Sequence, residues 1–156
     1  MSSITELKDE INTKTINLFL LTLVTAGIYL LIWLNDKHKI IDRITKTKTA
    51  DNVYVIWIAV ALGLSGIFEC GGEESFIIIS NVLLVVYGVL YIVWAFRAKK
   101  ALENYALNEY KVVLRMNVLY TILFNIYYIN YCINDLPELE RKQKTLNNSK
   151  EENSNE

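Results

Sequence analysis

The sequence predicts an all-α integral membrane fold built from about four hydrophobic helical segments. Three observations carry that prediction. Hydrophobic residues make up 53% of the 156 residues, yet they gather in blocks divided by charged connectors, the membrane pattern. All 16 Lys and Arg lie at or before Lys48 or at or after Arg97. The block from Ile16 to Leu34 holds no charged side chain, and roughly 20 apolar helical residues suffice to cross the hydrocarbon core of a bilayer. One folding unit suits this length, divided into a polar lead (1–14), a single membrane domain (15–136) and a disordered polar tail (137–156).

In the lead, Ile4, Leu7 and Ile11 recur at helical spacing, which suits an amphipathic turn at the interface or a loose segment. The lead is too polar for the apolar core of a cleaved signal peptide, so segment 16–34 is expected to stay as an anchor. Tyr29 and Trp33 stand near its end, where amphipathic rings favour the headgroup level. His38 follows within a basic exit cluster, as a solvated residue. The connector 35–52 is expected to begin as helix and to become a loop through its Thr-Lys repeats.

Segment 53–68 is a short span with Tyr54 and Trp57 as interface anchors. Ala59, Gly63 and Gly66 form a small-residue stripe that would let a neighbouring backbone approach. The turn 69–75 holds two glycines and three glutamates and no basic residue, which suits a helical hairpin. Segment 76–96 is the most convincing span, with Gly88 as a further packing position and Tyr91 and Trp94 as anchors. The connector 97–115 is mixed and helical at first, with a stop expected near Asn108. Segment 116–133 is apolar but carries Asn125 and Asn130. With Asn81 in the third segment, these are candidates for polar contacts between helices. Pro137 is expected to stop that helix, and the Asn/Ser-rich remainder to be disordered.

The positive-inside rule orients the chain. Connectors 35–52 and 97–115 carry five basic residues each, whereas the 69–75 turn carries none. The central hairpin therefore has cytoplasmic connectors and a non-cytoplasmic turn in the cell (plasma or inner) membrane. Segments 16–34 and 116–133 either span or are re-entrant. If they dip and return, Thr25-Ala26-Gly27 and Asn125 are the break points, with arms of about ten residues reaching about 15 Å. Such turns must hide their backbone groups against protein.

The stretch G-I-Y-L-L-I-W-L-N-D from Gly27 to Asp36 is echoed by N-I-Y-Y-I-N-Y-C-I-N-D from Asn125 to Asp135. The T-x-G-I-Y-x-x-x-W pattern from Thr25 to Trp33 resembles the opening signature of domain of unknown function family 4234, small bacterial membrane proteins. The resemblance continues to the closing F-N-I-Y-Y-I-N-Y-C-I-N-D-L-P at Phe124 to Pro137. It departs at Ala26, where the family more often has Leu, and in its Asn-Asp exit. The resemblance implies a membrane architecture and brings no established activity.

No catalytic, cofactor or metal site is predicted. The sequence lacks an H-E-x-x-H, a paired-Cys motif or a Gly-rich phosphate loop. The acidic turn offers Cys70 without a histidine or a third ligand nearby, and no charged residue interrupts a predicted span. Cys132 is expected to be a buried structural thiol. The expected partners are the lipid bilayer and another membrane protein or a second copy of the chain, with no nucleic acid. A non-catalytic multi-pass protein acting through such contacts is the leading expectation. The alternatives are an immunity-type protein guarding against a membrane-active toxin, and a small channel or transporter subunit in which Asn81, Asn125 and Asn130 line a polar path after oligomerisation.

Overall fold

A computed structural model describes the backbone of residues 4–154 and the side chains of residues 4–147. Six α-helices follow one another: α1 Thr5–Ile11, α2 Thr15–Val24, α3 Ile28–Thr45, α4 Asn52–Cys70, α5 Glu74–Tyr110 and α6 Val118–Ser154. Among the described residues, only α4 and α5 are long and apolar enough to cross a membrane. The core helix of a water-soluble protein would bury such a stretch, but only 22% of the apolar window in α4 and 11% of that in α5 is buried. Ile56, Trp57, Ile67, Ile78 and Val85 are among their large apolar side chains left exposed. Soluble monomers rarely carry apolar surface on that scale.

The α4–α5 hairpin follows the sequence closely. Asp51 caps α4 by accepting from the Tyr54 amide at 2.8 Å, a bond that holds the Asp51 carboxyl below the ordinary carboxylate range. Gly72 at φ 70° lies in the turn that reverses the chain. Ser80 donates to the Ser65 carbonyl at 2.9 Å, Tyr54 donates to the Leu90 carbonyl, and Arg97 lies 5.2 Å from the Tyr54 ring centroid. Helix α5 then continues past its apolar stretch to Tyr110, two residues beyond the expected stop at Asn108. Amides of Lys111 and Val112 bond back to the carbonyls of Leu107 and Ala106 and close it.

The outer segments are not single helices. α2 ends at Val24, Ala26 and Gly27 take φ of 50° and 91°, and α3 begins at Ile28. Within α6, Asn125 has φ 50° and ψ −119°, separating a 118–124 arm from the helix beyond it. Both breaks turn the chain back. Glu10 and Arg43 form an ion pair, although 33 intervening steps along a straight helix would hold them roughly 50 Å apart. The Asn117 amide donates to the Tyr128 hydroxyl at 2.9 Å, which a straight helix would forbid, since about 16 Å of rise would separate the two residues.

Three further expectations are corrected. α1 is a packed element, with Leu7 and Ile11 fully buried, because the return of α3 and α6 supplies a surface for its apolar face. His38 is buried rather than solvated, and its Nδ1 lies 2.8 Å from the Leu34 carbonyl oxygen. Pro137 does not end α6, which runs to Ser154; the expectation of disorder for residues 155–156 lies outside the described residues. Beyond Pro137, Glu138–Lys142 and Glu140–Lys144 pairs at i,i+4 support the helix. Between α5 and α6, residues 112–116 are non-helical and alternate in burial, with Val112, Leu114 and Met116 inward. Their amides reach side chains: Val113 donates to Gln143 and Met116 to Glu103.

Candidate functional site: two turns against the middle of α5

A turn inside an apolar layer must satisfy its own backbone groups, and the turn after α2 does so. The Gly27 amide bonds to the Thr22 carbonyl at 2.9 Å and the Ala26 amide to that of Leu23 at 3.3 Å. With Ala26 left-handed, this is a Schellman ending. Thr25 then joins the two helices. Its hydroxyl donates to the Leu21 carbonyl at 2.7 Å and accepts from the Tyr29 amide at 2.9 Å. Gly27 lacks a Cβ where the backbone needs positive φ, and a Cβ there would lie 3.5 Å from the Tyr87 hydroxyl. The Thr and Gly of T-x-G-I-Y thus each have a physical task in the turn, while Tyr29 contributes its backbone amide.

Tyr87 lies ten residues before Arg97 on α5, about 15 Å along the helix. The α2 turn therefore lies about 15 Å along α5 from the basic cluster. The second turn is joined to the first through aromatic rings. Phe19 of α2 meets Tyr127 edge-on at 5.8 Å between centroids, and Tyr120 meets Tyr128 at 5.7 Å across the second bend. Asn130 ties the two segments together, donating to the Thr13 carbonyl at 2.9 Å and the Thr15 hydroxyl at 3.0 Å. Asn134, which the sequence did not single out, donates to the same Thr13 carbonyl at 3.0 Å. Its N-D exit position was the available signal.

The other predicted positions fall as follows. Asn125 is the second bend itself, with a buried Oδ1 that has no protein partner; the same holds for Asn130 Oδ1. Asn81 is exposed on α5. Trp33, Tyr91 and Trp94 are core residues, at most 2% exposed, rather than headgroup anchors. The return of α3 brings Trp33 edge-on against Trp94 at 6.2 Å. Their indole N–H groups and the Tyr91 hydroxyl lack protein partners, an unusual concentration of unsatisfied buried polar atoms. Tyr29 and Tyr54 are half-buried and Trp57 is exposed.

The small-residue stripe does not pack within the chain. A Cβ at Gly63, Gly66 or Gly88 would meet nothing within 4 Å, and Ala59 is half-buried. α4 instead buries Val55, Ile58, Ala61 and Ser65, because the Tyr54 and Ser65 bonds to α5 set its rotation. Cys132 is buried and Cys70 exposed. Among the described residues, no group of three or more His, Cys, Asp or Glu is placed to hold a metal ion.

No curated protein and no solved structure matches the chain. The sequence profile of one family does match, over residues 13–104. That stretch contains Thr25 to Trp33 and ends before Phe124 to Pro137, so the second turn lies outside the match. Covering more than half of the chain, the match shows that the protein belongs to the family described as domain of unknown function DUF4234.

Proposed function

We propose that this protein is a non-catalytic integral membrane protein that works through contacts with lipid or with another membrane component. In this reading α4 and the apolar part of α5 cross the cell membrane. The α2–α3 and 118–133 segments enter from the cytoplasmic side, turn near mid-bilayer and return.

The observation that carries the reading is the gathering of charge at one end of the fold. Glu10–Arg43 joins α1 to α3, Lys46–Glu109 joins the end of α3 to α5, and Val113–Gln143 joins the 112–116 segment to α6. With both outer segments folded back, the basic residues of the lead, both connectors and the tail share that end. The opposite end carries Glu69, Glu73 and Glu74. A one-sided distribution of Lys and Arg is what the positive-inside rule demands of cytoplasmic segments. The self-satisfied backbone of the first turn removes the main cost of such a dip. The two re-entrant turns then present a lipid-facing surface that a plain hairpin lacks.

The test is alkaline carbonate extraction of membranes from expressing cells, followed by thiol labelling. Retention in the membrane with Cys70 reactive from the outside is expected. Release into the soluble fraction would refute the reading.

A further inference from the structure

An open apolar tract runs down the outer wall between α2 and the start of α6. Its deeper part, about 420 Å³, is lined by Ile16, Phe19, Leu123, Phe124 and Tyr127. Its shallower part, about 380 Å³, shares Thr15, Phe124 and Tyr127 and continues past Tyr120, Tyr128 and Tyr131. The tract begins beside the Asn125 bend and ends at the polar end of the fold. There Lys14 adjoins Thr15, and Asn134 lies one turn beyond Tyr131. Both line a separate hydrophilic pocket of about 380 Å³ with Lys8, Asp9, Asn12 and Thr13.

The two features differ in chemistry and adjoin through the Lys14–Thr15 step of the chain. The tract is apolar, aromatic and open toward the side that carries exposed Ile16, Phe19, Leu123 and Phe124. The pocket holds two ammonium groups and one carboxylate, all on exposed residues, together with the Asn12 amide. The Asn134 amide is already committed to the carbonyls of Thr13 and Asn130. A ligand that fills both needs an acyl chain and a headgroup carrying both signs of charge. A phosphate matches Lys8 and Lys14, and a primary ammonium donates to Asp9. A purely anionic headgroup would leave the carboxylate opposed to like charge. A quaternary ammonium has no N–H to donate.

We propose that this tract and pocket hold one aminophospholipid of the surrounding bilayer, its chain between the two re-entrant arms and its phosphate and ammonium on Lys8, Lys14 and Asp9. The inference rests on the membrane reading above and adds the identity of the lipid.

The test uses the full chain purified in detergent and offered phosphatidylethanolamine, phosphatidylcholine or phosphatidylglycerol of identical acyl chains. Lipid retained per chain is counted by native mass spectrometry. One phosphatidylethanolamine should remain at concentrations about tenfold below those needed for the other two. Asp9→Asn should erase the preference for phosphatidylethanolamine over phosphatidylcholine. Lys8→Gln with Lys14→Gln should weaken all three lipids, and Leu123→Trp should fill the tract and abolish retention. Arg141→Gln with Lys142→Gln, outside the pocket, should change nothing. Equal retention of the three lipids, tightest retention of phosphatidylglycerol, or an unchanged preference in Asp9→Asn would each overturn the proposal. Failure of the protein to stay in carbonate-washed membranes would sink the membrane reading instead. A membrane-integrated chain without lipid preference would sink only this inference.

Discussion

The α4–α5 hairpin and the two folded-back segments all contain long uncharged, largely apolar runs, yet they solve the backbone problem differently. In α4 and α5 the helical ladder is continuous through the apolar stretch, and the chain reverses only at Gly71–Gly72 among glutamates. In α2–α3 the chain reverses inside the apolar stretch, and Thr25 with a Schellman ending replaces the lost ladder bonds. The Asn125 bend is less complete, since its side-chain carbonyl is buried without a partner. What separates a straight segment from a bent one is therefore a few residues at its middle, provided that they can satisfy their own N–H and C=O groups.

The largest test of this contrast is topological. In a Cys132→Ser background, native Cys70 should react with an impermeant thiol reagent from outside the cell. Asp9→Cys and Lys142→Cys should react only after the membrane is opened. Labelling of either with Cys70 in intact cells would mean that the outer segments span. Next comes packing. Trp94→Ala removes the fully buried edge-on partner of Trp33 and should cost about 3–5 kcal/mol in thermal unfolding in detergent. Trp57→Ala, on the exposed face, should stay within about 0.5 kcal/mol; equal losses would show that the exposed face is packed in the purified state.

Gly27→Val places a β-branched residue at φ 91° and should cost roughly 1–3 kcal/mol, whereas Gly63→Val should be nearly neutral. A neutral Gly27→Val would show that the first turn adopts another backbone. Asn130→Leu severs the bonds to Thr13 and Thr15 and should cost about 1–2 kcal/mol, read out as faster proteolysis around residues 12–15. Protection equal to the parent chain would remove Asn130 as a tie between the segments. The smallest effect concerns the hairpin. The lowered Asp51 pKa means that its cap on α4 is fully present above the ordinary carboxylate pKa and is lost as pH falls through the depressed value. Amide exchange at Tyr54, corrected for its intrinsic pH dependence, should therefore accelerate only in strongly acidic solution. Loosening already near neutral pH would contradict the cap.

Much of this arrangement was legible in residue types. Thr25-Ala26-Gly27 and Asn125 interrupt apolar runs with the residues that accept positive φ or local hydrogen bonds, and both proved to be the bends. The aromatic residues misled for a physical reason. Trp33, Tyr91 and Trp94 have the amphipathic rings that suit a headgroup layer, but the same rings fill a helix–helix core when a neighbour arrives. His38 and the α1 leucine and isoleucines were misplaced for the same cause, since their burial depends on α3 and α6 coming back beside the lead. Pro137 removes a donor and so reads as a stop, yet the i,i+4 pairs beyond it help carry the helix onward. The Ala59–Gly63–Gly66 stripe has the right spacing for close packing, but helix rotation was set by Tyr54 and Ser65 on the adjacent face.

By itself, the sequence determined the helical blocks, the absence of Lys and Arg between Lys48 and Arg97 and the places where an apolar helix can break. These depend on local chemistry: propensity, charge and the few residues that tolerate positive φ. Only the tertiary structure decided that both broken segments return, and which faces they bury. A positive-φ residue permits a turn but does not aim it. The direction comes from contacts between residues far apart in the chain, Glu10 with Arg43 and Asn130 with Thr13, which exist only once the helices are side by side.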